Sequence, residues 1–217
     1  QLDSEKWLKL KAKVFIDATG DGVVAYKAGA EYRKGRESRK EYGEKLAPEE
    51  PDDATMGSSL IFNAVDVGYP VDFKPPKWAV LYLSEADLRY RDHSNIRAGY
   101  WWIEIGYPYD TISDNEKIRD ELLKHLLGVW DHIKNRGSHG AETYSLYWIG
   151  MIPAKRESRR IVGDYILTEG DIKTGKLFPD RVAYGGWPID VHTIGGILAK
   201  DEPPEPSIAD PEYREYV

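Results

Sequence analysis

The apolar positions of this chain fall into short runs divided by polar or glycine-rich breaks, and their spacing predicts the elements. Residues 9–16 form a run that ends at Ala18-Thr19-Gly20, the pattern of a strand closing in a tight turn. The alanine-rich residues 22–30, with Gly29 near the end, predict a short helix. Residues 57–67 are rich in Leu, Ile, Phe and Val and predict a strand, and Pro70, Pro75 and Pro76 break the chain after it. Ser84 heads a helical turn over 83–88. Residues 100–107 alternate: Trp101, Ile103, Ile105 and Tyr107 fall on one face, Tyr100, Trp102 and Glu104 on the other, which predicts a strand. The strongest helical signal covers 114–136. Ser113-Asp114-Asn115-Glu116 reads as a capping box. Ile118, Leu122, Leu126, Val129 or Trp130, and Ile133 then recur at helical spacing, and Gly137 stops the run. Strands are expected again at 143–151 and 161–168. The whole predicts an α+β fold, a mixed and largely antiparallel sheet carrying one long helix.

Between these runs lie two stretches of other character. Residues 33–55 are almost all charge and predict a solvated, mobile loop. Residues 201–217 open with Asp-Glu-Pro-Pro-Glu-Pro, a linker composition.

Composition narrows the function. The net charge of −7 lacks the basic footprint of a nucleic-acid binder. No apolar run reaches the ~18 residues of a membrane span. The absence of cysteine removes disulfides, thiol catalysis and cysteine metal sites together. With 7 Trp and 15 Tyr against 4 Phe, the amphipathic aromatics dominate, which suits a binding surface or a polar-edged core.

The candidate chemistry begins at Gly20-Asp21-Gly22-Val23-Val24-Ala25, a formal G-x-G-x-x-A after a strand. A first-strand dinucleotide fingerprint needs a second strand ending in an acid that holds the ribose. Here the helix runs into Arg33-Lys34-Gly35-Arg36, which is no strand. A plain tight turn is the simpler alternative. Farther on, Arg156, Arg159 and Arg160 stand beside Glu157 in an acidic chain. They are either an ion-pair network or guanidinium forks facing an anionic ligand or a reduced flavin. Asp190-x-His192 follows Gly185-Gly186-Trp187-Pro188 and could serve as an acid–base pair. A lone Asp-x-His lacks the further ligands of a metal centre. His93, His125, His132 and His139 add no supporting spacing beyond the seven residues between His125 and His132, so no metal site is expected.

Five segments in order carry a resemblance. Ile16-Asp17-Ala18-Thr19-Gly20-Asp21-Gly22 is similar to the Ala-Thr-Gly-Asp segment of two-dinucleotide-fold flavoproteins. Ala28-Gly29-Ala30-Glu31-Tyr32 and Arg156-Glu157-Ser158-Arg159-Arg160-Ile161-Val162-Gly163-Asp164-Tyr165 continue it. Phe178-Pro179-Asp180 and Gly186-Trp187-Pro188-Ile189-Asp190-Val191-His192 complete it. The chain resembles the FAD-dependent oxidoreductases sometimes labelled xanthan-lyase-like. The resemblance implies FAD as cofactor, hydride transfer to or from a small organic substrate, and contact of Ala18, Thr19, Gly20 and Asp21 with the flavin nucleotide. It implies that Arg156, Arg159, Asp190 and His192 stand on the substrate side. It also implies an N-terminal Gly-x-Gly-x-x-Gly and a C-terminal FAD segment that this sequence lacks. The chain is therefore expected to be a central piece that by itself binds FAD weakly or not at all, because the helix N-terminus for the pyrophosphate is absent. Residues 1–32 would close an FAD-binding domain, 33–200 would form the substrate domain, and 201–217 would lead back toward the former. The alternative is a non-catalytic binding module for carbohydrate or protein, built on Trp101, Trp102, Tyr144, Tyr147 and Trp148.

Overall fold

The helix Asn115–Asn135, α3 in chain order, organises the molecule. Its apolar positions recur every three or four residues, so Ile118, Leu122, Leu126, Val129 and Ile133 stack on one buried face. A computed structural model describes residues 7–181 and 189–204. In chain order the elements are α1 (Val23–Lys27), β1 (Tyr32–Arg33), α2 (Arg39–Tyr42), β2 (Ser58–Ser59), β3 (Phe62–Asp66), a 3-10 turn (Glu85–Leu88), β4 (Ala98–Gly99), β5 (Glu104–Ile105), α3 (Asn115–Asn135), β6 (Tyr144–Ile149), β7 (Arg160–Ile161), α4 (Glu169–Lys173) and a second 3-10 turn (Gly196–Ala199). The fold is α+β, as expected, but the sheet is divided in three. β1 pairs with β7, β2 with β5, and β3 lies between β4 and β6, every pairing antiparallel. Leu60, Phe62, Tyr82, Ile103 and Ile105 join the α3 face to form the core. Trp130 meets Phe62 edge-on, with ring centroids 5.4 Å apart.

Several expectations give way to tertiary context. Residues 9–16 form no strand, and Val14, Phe15 and Ile16 are exposed, Ile16 at 90%. A strand is completed by a neighbour's hydrogen bonds, and among the described residues none pairs with this one. The alternation over 100–107 is broken, because Trp102, Ile103, Glu104 and Ile105 are all buried. Tyr100 sits at φ 64, in the left-handed region, and turns the chain before the pleat can establish itself. Of the expected 161–168 strand only Ile161 lies in a strand, β7, which begins one residue earlier at Arg160. Thr168 and Asp171 cap each other there and start α4, a box the strand-like composition concealed. At the head of α3 the N-cap is Asp114 rather than Ser113, and its side chain makes no cap hydrogen bond. Asp110 instead holds the amides of Ile112 and Ser113 at 2.8 and 3.0 Å.

Residues 33–55 fold back on themselves rather than trailing into solvent. Arg36 and Asp52 exchange backbone hydrogen bonds at 2.8 and 3.1 Å, and their side chains pair as well. Gly35 permits this approach: at φ +80 it has no Cβ, and one would overlap the Asp52 carbonyl. Arg160 of β7 then holds the segment through Glu37 at 2.7 Å and the Gly35 carbonyl at 2.6 Å. The expected glycine-tryptophan connection at 184–192 is described only from Ile189, and 205–217 also lie outside the described residues.

Candidate active site

Glu104 is the anchor. β2 and β5 pair with Ser59 opposite Glu104, which turns the Glu104 side chain into the interior, 4% exposed. A buried carboxylate needs donors on both oxygens. The Gly57 amide donates to Oε1 at 3.0 Å, and His192 Nδ1–H donates to Oε2 at 2.7 Å. Gly57 allows the contact, since a Cβ there would lie 2.5 Å from Glu104 Cγ.

The approach of His192 depends on the turn that follows it. Gly196, at φ +56, packs its Cα against the Glu104 backbone, where a Cβ would overlap the carbonyl. Buried Arg91 clamps this turn, donating to the carbonyl oxygens of Gly196, Ala199 and Glu202, each at 3.0 Å. Arg91 thus fixes the segment that presents His192.

His192 Nε2 has two neighbours, Asp190 Oδ2 at 3.1 Å and Arg156 Nη2 at 2.9 Å. It cannot serve both at once. A neutral ring with its proton on Nδ1 accepts from Arg156; an imidazolium donates to Glu104 and Asp190 together. The Glu104 hydrogen bond raises the His192 pKa above its ordinary value against the opposing effect of burial, with Asp190 adding to the rise and Arg156 subtracting from it. The ring lies 5.0 Å from the half-exposed Trp101.

This group stands between two cavities. One, of about 420 Å³, is walled by Tyr100, Trp101 and Trp102. The other, of about 400 Å³, is walled by Glu157, Arg160 and the 44–48 segment. Glu104, Asp190 and His192 line both. Volumes of this size suit a small organic molecule.

The opening turn is arranged differently. Asp17 accepts from the Thr19 amide at 3.0 Å, the Thr19 hydroxyl at 2.7 Å and the Ala25 amide at 2.9 Å. Those bonds lower the Asp17 pKa, the Ala25 amide foremost. Thr19 Oγ1 in turn accepts from the Val23 amide at 2.8 Å. Asp17 and Thr19 therefore cap α1 themselves. Asp21 is buried, paired with Lys155 at 2.6 Å and with the Ser158 hydroxyl at 2.7 Å. Arg159 donates to the Asp21 carbonyl at 3.1 Å and lies over the Tyr26 ring, 4.1 Å from its centroid.

Of the residues singled out from sequence, Arg156, Asp190 and His192 thus meet around one imidazole. Arg159 does not join them; it fastens the 155–160 segment to the opening turn. Ala18, Thr19 and Gly20 are exposed at that turn's edge. Glu104 and Arg91 escaped the sequence reading. Glu104 looked like the polar face of a strand, and only its burial marks it.

Comparison with curated proteins returns no match, and comparison with solved structures returns none. The family model for FAD dependent oxidoreductases matches residues 1–214. With nearly the whole chain matched, this protein belongs to the FAD-dependent oxidoreductase family.

Proposed function

We propose that this chain supplies the substrate side of a flavin-dependent dehydrogenation, with His192 as the group that moves the proton. The observation that carries the reading is the position of His192, in the wall shared by two cavities with a carboxylate facing each ring nitrogen. Family membership brings FAD, which when bound supplies a hydride acceptor. Neutral His192, its Nδ1 proton held by Glu104, offers the Nε2 lone pair to a substrate hydroxyl or amine. The imidazolium that results is stabilised by Glu104 on one side and Asp190 on the other. Arg156 faces the same nitrogen and is placed to bind a substrate oxygen once His192 is charged.

Ala18, Thr19 and Gly20 fit one edge of the flavin nucleotide. They are exposed, and among the described residues no atom beyond Gly20 and its chain neighbours lies within 4 Å of where a Gly20 Cβ would stand, so a ligand can approach the backbone closely. They do not fit its pyrophosphate, because Thr19 and Asp17 already occupy the Val23 and Ala25 amides. Asp21 and Arg159 then act as positioning residues that join this edge to the arginine segment. The division into residues 1–32 as part of a flavin-binding domain and 33–200 as a substrate domain accords with the exposed apolar run at 14–16, an edge suited to a neighbouring strand.

The test is anaerobic bleaching of the flavin band of the intact protein with a panel of alcohols, amines and sugars. His192→Asn should leave the visible spectrum unchanged and slow bleaching by about 10²–10⁴-fold. Equal bleaching rates in variant and wild type would remove His192 from the reaction. A folded full-length protein that takes up no FAD would remove the flavin reading altogether.

A further inference from the structure

Near the C-terminal end of α3 lies a second cluster that the candidate active site does not use. Glu85 comes from the first 3-10 turn, His93 from the loop after it, His132 from the last turn of α3 and His139 from the loop beyond. One ligand atom from each lies within 4.8 Å of all the others. The three imidazoles are in mutual contact, their centroids 5.0, 5.1 and 5.2 Å apart.

Three details separate this cluster from ordinary packing. First, His132 is fully buried, and its Nε2 lies 3.3 Å from Glu85 Oε1, while the buried His139 Nε2 lies 3.1 Å from the same oxygen; among the described residues neither nitrogen makes a hydrogen bond. A fully buried ring nitrogen left without a partner is costly and rare. Second, Nδ1 of His132 and of His93 is held by a backbone carbonyl, which leaves Nε2 of each ring facing inward. His132 Nδ1–H donates to the Tyr82 carbonyl at 3.0 Å, and His93 Nδ1–H donates to the Arg91 carbonyl at 2.6 Å. Backbone carbonyls in this role orient metal-ligating imidazoles. Third, the spacing is right. A tetrahedral zinc ion with bonds of about 2.0–2.1 Å holds its ligand atoms about 3.3 Å apart. Glu85 Oε1 stands 3.3 and 3.1 Å from Nε2 of His132 and His139, its Oε2 stands 3.1 Å from Nε2 of His93, and one ligand atom from each of the four residues falls within 4.8 Å of the rest.

We propose that Glu85, His93, His132 and His139 bind one divalent transition-metal ion of the zinc class in a four-coordinate site. Three imidazoles and one carboxylate are the borderline ligands such an ion takes. With all four positions filled by protein, the site is structural. It ties the 85–93 segment to the end of α3. The same segment carries Arg91, which clamps the turn that presents His192. Exposed Glu85 provides the path by which the ion enters. Gly137 keeps that side open, since a Cβ there would lie 2.7 Å from Glu85 Oε1 and overlap His139 Nε2.

The test is zinc titration of the full chain after chelator treatment, followed by calorimetry and thermal unfolding. One equivalent should bind and raise the Tm, and the zinc absorption edge should report four nitrogen or oxygen ligands. Glu85→Gln and His139→Gln alter partly exposed side chains, so both should fold. Each should weaken zinc binding by at least about 10-fold, the lower end of what losing even an outer partner costs. Asp190→Asn, at the other carboxylate–histidine cluster, should keep full stoichiometry. A folded chain that binds no zinc would overturn the proposal, as would Glu85→Gln and His139→Gln binding it as tightly as wild type.

Discussion

Replacing Glu104 with glutamine removes one buried charge and almost no volume. The amide retains a single acceptor oxygen, while both the Gly57 amide, at 3.0 Å, and His192 Nδ1–H, at 2.7 Å, require one. Whichever donor is left facing the new NH2 group loses its bond. Hydrogen bonds to a charged group are each worth roughly 1.5–3 kcal/mol, so Glu104→Gln should destabilise the acid-side protein by about 2 kcal/mol. The effect carries a pH signature. Glu104 raises the folded-state pKa of His192 above its ordinary 6.5. A raised histidine stabilises the fold in full below the unfolded value, and that contribution disappears as pH rises through the raised folded value. The penalty for Glu104→Gln should therefore be greatest near about pH 5 and diminish toward about pH 9. Urea unfolding of both proteins across this range measures it, with the m-value as a check on the unfolded state. Side-chain NMR of His192 should show a lower titration midpoint in the variant. A pH-independent penalty, or identical midpoints, would refute the assignment of Glu104 as the partner that charges His192.

Two further perturbations probe the scaffold. His125 is buried on α3 and accepts from the Tyr82 hydroxyl at 2.6 Å, and burial pushes it down to about 4. Between that value and 6.5 the unfolded chain binds the extra proton, so stability falls as pH falls, by up to roughly 3 kcal/mol at 1.36 kcal/mol per unit. His125→Gln keeps an acceptor and lacks the titration, so its deficit against wild type should shrink as pH falls from about 7 to about 4 in urea titrations; a constant deficit would count against the burial argument. Gly128→Ala would help an exposed helix by about 1 kcal/mol. Here a Cβ would overlap the Val80 carbonyl, so the variant should lose at least about 1–3 kcal/mol in thermal unfolding. A stabilised Gly128→Ala would mean that α3 and the Val80 segment do not pack as described.

The sequence by itself determined the elements whose cause is local. The 3.6-residue apolar rhythm of 114–136 specifies a helix in any surroundings, and it is found at Asn115–Asn135. Ser84 and Asp87 cap their own turn through bonds three residues apart, so the start at 84 was legible as well. The motif order likewise pointed to the family that the chain matches. Elements that depend on a neighbour were not legible. Residues 9–16 have strand composition and no strand partner among the described residues, whereas Arg33 and Arg160, charged and unpromising, face each other across β1 and β7. Tertiary structure alone decided both histidine clusters. Glu104 lies 88 residues from His192, and nothing but the β2–β5 register and the Arg91 clamp brings them within 2.7 Å. Glu85, His93, His132 and His139 have no common spacing because they arrive from four separate segments. Sequence periodicity reports which face of an element is buried; it carries no record of which other segment will be found there.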